Sequence, residues 1–204
     1  MNSKDIKLSK LLSWLLRHGA VQEGLLISPE GYVDVEKLLQ HKHFKGRYTK
    51  TDIERVVNSN DKQRFKLRVN PCTKAVEVKA NQGHTLNCIT DSELTPILEP
   101  KYNTVVHGTY LKCWPLIKTS GLHRMRRQHI HLAKGTAQNE TVISGLRSNV
   151  EIYIFVDFKK ALENDIKFFE SDNGVILTRG DDAGYLRPEY FHKVIKVSTG
   201  EKLY

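Results

Sequence analysis

Apolar residues recur at helical spacing near the start of the chain. Leu8, Leu11, Leu12 and Leu15 fall at i, i+3, i+4 and i+7, one stripe of an amphipathic helix over residues 6–16, and Gly19 is placed to end it. Arg17 and His18 then occupy its last turn. At 100° per residue Arg17 points about 180° from Leu8, while His18 borders the stripe near Leu11. A second helix is predicted over residues 34–40. A third begins at Thr49, where Thr49 and Asp52 supply an N-cap and a first-turn acid, and Ile53, Val56 and Val57 supply its apolar face.

The period then changes. Phe65-Lys66-Leu67-Arg68-Val69 and Val76-Glu77-Val78 alternate apolar with charged residues, and Asn70-Pro71-Cys72-Thr73-Lys74 between them has turn chemistry, so a half-buried hairpin is predicted. Three short helices followed by a hairpin is the element order of a winged helix, a common nucleic-acid-binding module. Beyond Leu94-Thr95-Pro96 come short β-rich runs at 104–109, 128–133, 152–158, 175–178 and 193–197, with helical stretches near 113–119 and 159–166. The expected class is α+β, in two lobes at 1–92 and 102–204 joined by a linker at 93–101.

Composition adds a core-forming 39% of apolar residues and a net charge of +9, which points to a polyanionic partner without naming it. Residues 1–90 hold 16 Lys/Arg against 9 Asp/Glu, while residues 91–204 hold 16 against 14, so the first part is the expected polyanion reader. Cys72, Cys88 and Cys113 are odd in number and contain no CxxC pair, and they read as reduced thiols. No apolar run approaches the roughly 20 residues of a membrane helix, and the start lacks a signal-peptide core. The chain is expected to be soluble and intracellular, cytoplasmic or nuclear.

Several segments could carry chemistry. In Arg127-Gln128-His129-Ile130-His131-Leu132, strand alternation would set Arg127, His129 and His131 on one face and Ile130 and Leu132 on the other, a cationic front suited to phosphate. A solvated basic strand face is an equal reading. A metal is disfavoured, since no third ligand stands at a recognisable spacing. His107-Gly108-Thr109 ends an apolar run, with a glycine that admits close backbone approach and a hydroxyl beside it. There is no GxxxxGK[ST], no GxGxxG after a strand and no GxSxG, which removes support for a P-loop kinase, a dinucleotide-binding βαβ domain and a serine hydrolase.

Taken in order, the segments resemble one family. They are Leu8-Ser9-Lys10-Leu11-Leu12-Ser13 with Leu15-Leu16-Arg17-His18-Gly19-Ala20, Asn60-Asp61-Lys62-Gln63-Arg64-Phe65, and Ala80-Asn81-Gln82-Gly83-His84-Thr85. Val106-His107-Gly108-Thr109, Arg127 to Ala133 and Ile143-Ser144-Gly145-Leu146-Arg147-Ser148 continue the series. The resemblance is to the NAD-dependent RNA 2′-phosphotransferases of transfer RNA splicing, within the ADP-ribosyltransferase superfamily. It implies an N-terminal winged-helix RNA lobe and a C-terminal NAD-binding lobe.

The resemblance also implies a two-step reaction. The RNA 2′-phosphate attacks C1″ of the nicotinamide ribose, expelling nicotinamide. The ribose O2″ then attacks phosphorus, releasing 2′-OH RNA and ADP-ribose 1″,2″-cyclic phosphate. The family's Arg-His-Arg-Arg set matches Arg17, His18, Arg64 and Arg127, and NAD binding is implied for His107, Gly108, Thr109, His131, Arg147 and Ser148. Near the nicotinamide ribose, where superfamily relatives carry a glutamate, the match is apolar and falls at Val175-Ile176. Lys79 stands where relatives often have arginine and cannot reproduce its bidentate fork. RNA with an internal 2′-phosphate is the implied partner, the chain is expected to be a monomer, and no metal is implied. The alternatives are an ADP-ribosyltransferase that caps nucleic-acid phosphate ends and a winged-helix binding module with an inactive second lobe.

Overall fold

The computed structural model describes residues 2–136, 144–146 and 149–204, and the chain divides into two compact units, Met1–Glu93 and Leu94–Tyr204. Each combines helices with antiparallel sheet, in keeping with the α+β class.

In the first unit, α1 spans Ser3–Trp14. The Asn2 side chain accepts from the Asp5 N–H at 2.8 Å while the Asp5 carboxylate accepts from Asn2 N, a reciprocal cap that sets the start of the helix. The stripe read from sequence is the buried face: Leu8, Leu12, Leu15 and Leu16 pack with Val33, Leu38, Phe44, Ile53, Val56, Phe65 and Val78. Gly19 does not end this helix. Leu15–Gly19 form a π-helical turn in which Ala20 N–H donates to Leu15 O, five residues back, at 2.9 Å. Among the described residues the first positive φ along the chain is at Gly24, not at Gly19. The missing side chain at position 19 serves packing, because a Cβ there would lie 2.8 Å from the Trp14 indole.

Strand β1 (Val33–Asp34) leads into α2 (Val35–Gln40), which Asp34 caps, and α3 (Lys50–Asn58) begins at the Thr49 cap that Asp52 reciprocates. The predicted hairpin is β2 (Phe65–Val69) and β3 (Val76–Ala80), and β1 adds to the other edge of β3. Arg55 donates to both Asp5 and Asp52, and Lys4 donates to Asp52 at 2.8 Å, which ties α1 to α3. The Lys4 ammonium and the Arg55 guanidinium hold the Asp52 carboxyl far below the usual carboxylate range.

In the second unit, β4 (Thr95–Ile97) and β5 (Val106–Thr109) are followed by a 3₁₀ turn at Leu111–Cys113, α4 (Trp114–Ser120), β6 (Leu122–His123), β7 (Ile130–Leu132), β8 (Ile152–Val156) and α5 (Phe158–Glu163). Strands β9 (Phe168–Glu170), β10 (Ile176–Thr178), β11 (Tyr185–Leu186) and β12 (Phe191–Lys196) complete it. The sheet orders are β4-β9-β10-β7, β12-β8-β5 and β11-β6. The first two meet where Val106 and Ala133 exchange both backbone hydrogen bonds, at 2.9 and 2.8 Å. Ile130, Leu132, Ile152, Ile154, Phe168 and Ile176 form the core between them.

Two expectations change here. The stretch read as a linker carries β4, which pairs with β9 and buries Ile97. Pro96 misled the reading: β4 is an edge strand, the position in a sheet that tolerates a residue without an N–H. The strand expected from residue 128 begins at Ile130, so Arg127 and His129 do not share its alternation. Arg127 is exposed in a bend, and His129 is buried with its ring edge-on to Phe169. Among the described residues no helix is long and apolar enough to cross a membrane. The three cysteines form no disulfide.

Candidate functional site

The first unit gathers three of the expected residues around one loop, residues 81–85. The π-helical turn presents Arg17 and His18 toward it. Thr85 N–H donates to Arg17 O at 2.9 Å, and the Thr85 hydroxyl donates to the same carbonyl at 3.4 Å and lies 3.0 Å from His18 Nδ1. With the hydroxyl proton on the carbonyl, Nδ1 carries hydrogen and Nε2 is the basic nitrogen of His18. Gly83, at φ 93, brings backbone against Arg17: a Cβ there would sit 3.5 Å from Arg17 Nε. A side chain at 83 would fit against the guanidinium but would strain the backbone at this positive φ.

The other end of the loop is fixed to Arg64. Asn81 N–H donates to Arg64 O at 2.9 Å, and Asn81 Nδ2 donates to Gln63 O at 2.7 Å, which holds Gln63 in a left-handed conformation. Asn60, itself buried, accepts from Arg64 N–H at 3.2 Å and from its Nη1 at 3.3 Å. Arg64 is thus aimed by an amide four residues upstream, while Arg17 and Arg64 flank a shared loop. Charge-assisted donors of this kind suit a doubly charged phosphate. Lys62 is pulled below the ordinary lysine range by burial and by the Arg64 charge beside it.

The second unit brings His107 and His131 together. His107 Nδ1 donates to the His131 carbonyl at 2.9 Å, which fixes the imidazole against β7. His131 lies opposite Leu177 on β10, and Thr109 is buried at the end of β5. At Gly108 the space of a Cβ is taken by Val150, 2.7 Å away, and Leu146, so the glycine admits packing from the protein itself. Arg127 closes the turn that Arg124 braces through a 3.0 Å bond to its carbonyl. Arg147 and Ser148 lie outside the described residues.

Val175 and Ile176 are fully buried. The carboxylate by this turn, Glu170, has Oε1 3.9 Å from where a Cβ of Gly174 would be. Burial works to raise its pKa, but hydrogen bonds from Lys134, Tyr102 and Lys101 bring it down to about 2, so it is a weak base. Lys79 is buried on Glu93 at 2.9 Å and is committed to that pair. Among the described residues no group of three or more His, Cys, Asp or Glu is placed to hold a metal ion.

Asn60, Asn81 and Thr85 are the residues that sequence reasoning passed over. They stood in the quoted motifs, but their positioning roles depend on contacts that reach as far as 68 residues along the chain, from Arg17 to Thr85, where spacing carries no signal.

Comparison with known proteins gives a concordant result. Residues 3–180 match the model of the family described as RNA 2′-phosphotransferase, Tpt1 / KptA family. The chain is 47% identical over 194 residues to tRNA 2′-phosphotransferase 1 of Danio rerio, covering 94% of this chain and 85% of that protein. It is 42% identical over 201 residues to tRNA 2′-phosphotransferase 1 of Homo sapiens, covering 98% and 79%. With tRNA 2′-phosphotransferase of Saccharomyces cerevisiae it shares 38% identity over 184 residues, 87% of this chain and 80% of that one.

Proposed function

Since the chain belongs to the RNA 2′-phosphotransferase, Tpt1 / KptA family, we propose that it is the enzyme that removes the 2′-phosphate from spliced tRNA, with NAD as co-substrate. NAD supplies the ribose carbon that receives the phosphate and the neighbouring O2″ that completes the transfer. The observation that carries this reading is the shared loop of the first unit, which ties Arg17, His18 and Arg64 to residues 81–85.

The first unit is read as a winged-helix RNA lobe and the second as an ADP-ribosyltransferase-like lobe. Arg17, Arg64 and Arg127 take the role of fixed cations on the phosphate. They neutralise it as it is oriented, then stabilise the charge that develops when phosphorus is attacked. The first step needs no general base, because the nucleophile is already an anion and nicotinamide leaves neutral. That agrees with a Glu170 carboxylate too acidic to serve as one. The second step must take a proton from O2″. His18, through Nε2, is assigned that transfer. On the second unit, His107, Thr109 and His131 offer hydrogen-bonding groups on adjoining strands suited to ribose hydroxyls.

The test is a mass-resolved product assay on a 2′-phosphorylated oligonucleotide, with and without NAD. Nicotinamide, 2′-OH RNA and ADP-ribose 1″,2″-cyclic phosphate are expected, all dependent on NAD. ADP-ribosylated RNA as the sole product would reject the phosphotransferase in favour of an end-capping ADP-ribosyltransferase.

A further inference from the structure

The outward face of α1 is not used by the chemistry above. Ile6, Ser9, Lys10 and Ser13 stand at i, i+3, i+4 and i+7, so they form one stripe, and Arg64 walls the other side of a groove of about 330 Å³. Asn60 braces the two walls: its Nδ2 lies 3.4 Å from Ser9 Oγ and its Oδ1 accepts from Arg64 Nη1. The stripe leads to the turn that bears Arg17, seven residues beyond Lys10, or roughly 10 Å at the helical rise.

The groove is cationic. Lys10 is exposed at its middle, Arg64 lies at its edge, and Lys62 is close enough to Arg64 to feel its charge. The acid of the same helix, Asp5, is turned into the ion network with Arg55. Two cations and the half-buried Ser13 hydroxyl flank an exposed isoleucine, while Ser9 is buried against Asn60. That set suits a phosphodiester with a sugar against the apolar side chain, and it offers no fork aimed at a base edge.

We propose that this groove is a subsite for the sugar-phosphate backbone of nucleotides flanking the 2′-phosphorylated one, with Lys10 paired to a phosphodiester and Ser13 donating to its oxygens. The subsite deepens the RNA 2′-phosphotransferase reading and rests on it for the substrate, but its binding can be measured without turnover. It reads backbone, so it adds affinity that grows with RNA length and is indifferent to sequence.

The experiment is a salt titration of the affinity of the full chain for a short, unphosphorylated single-stranded RNA, read by fluorescence anisotropy. Lys10→Ala is compared with Lys37→Ala, an exposed lysine on α2 outside the groove. Alanine at an exposed helical position preserves the fold. Lys10→Ala is expected to weaken binding several-fold and to lower the log–log salt slope by about 0.7, the release expected for one lost single-strand phosphate contact. Lys37→Ala should do neither to that extent. Equal slopes for the two variants, or no change from wild type, would overturn the subsite. KM for 2′-phosphorylated substrates is measured in parallel, and the Lys10→Ala penalty should be larger on a long oligonucleotide than on a dinucleotide. If wild type releases no nicotinamide while the slope still falls in Lys10→Ala, the groove stands and the enzymatic reading fails.

Discussion

The Thr85 hydroxyl lies between the Arg17 carbonyl and His18 Nδ1, and when its proton is on the carbonyl, His18 meets it as a donor through Nδ1 and keeps its basic nitrogen on the other side of the ring. In the proposed mechanism that nitrogen takes the O2″ proton, a role that would separate His18 from its arginine neighbours. His18→Ala should leave the first step running and let ADP-ribosylated RNA accumulate, as seen by mass spectrometry of quenched reactions. Equal loss of both steps would make His18 a positioning residue. If Arg127 holds the phosphate as proposed, Arg127→Ala should cost about 3 kcal/mol in kcat/KM, or roughly a hundredfold, and wild-type turnover would exclude it. Arg17, His18, Arg64 and Arg127 were proposed from their motifs, and the structure sets the first three around residues 81–85. What aims Arg64 was not legible in the sequence, because Asn60 and Asn81 act through backbone groups whose proximity only folding creates.

Elements with a strong local signal were readable. The leucine stripe of α1, the Thr49 cap of α3 and the alternation of β2 and β3 each follow from spacing and reappear in the structure. Elements decided by packing were not. The π-helical turn keeps the helix going where a glycine promised a stop, and the two-residue strands β1, β6 and β11 are too short to show a period. At the end of α4, Gly121 has φ 96, and a Cβ there would meet Leu186 O at 2.4 Å, a backbone atom that cannot step aside. Gly121→Ala should therefore destabilise the protein by roughly 2–4 kcal/mol, measured by urea unfolding. Because β6 follows at once and leads into the turn bearing Arg127, the same variant should lose activity more steeply than its folded fraction accounts for.

For the molecule as a whole, charge and pH behaviour divide between the units. Glu170, on β9, is held at about pKa 2 by Lys134, Tyr102 and Lys101 against the opposing effect of burial. A carboxyl depressed in the folded state contributes stability above its unfolded pKa, and that contribution fades as pH falls through the folded value. Wild type should thus exceed Glu170→Gln in urea midpoint at neutral pH, and the gap should narrow from about pH 4.5 downward toward pH 2. A gap independent of pH would mean that Glu170 acts by shape alone. Residues 1–90 carry most of the surplus of positive charge, and composition could not show that Lys10 and Arg64 line one groove on α1.

The π-helical turn also sets a trade between robustness and purpose. An i+5 bond encloses one residue more than a regular helical turn needs, so a deletion within Leu15–Gly19 would let the helix relax to ordinary geometry. The shortened chain would carry a better-wound helix, and Arg17 and His18 would be swung about a quarter-turn around its axis, out of register with Thr85 and Gly83. The irregularity is where the scaffold yields so that two adjacent side chains can look the same way.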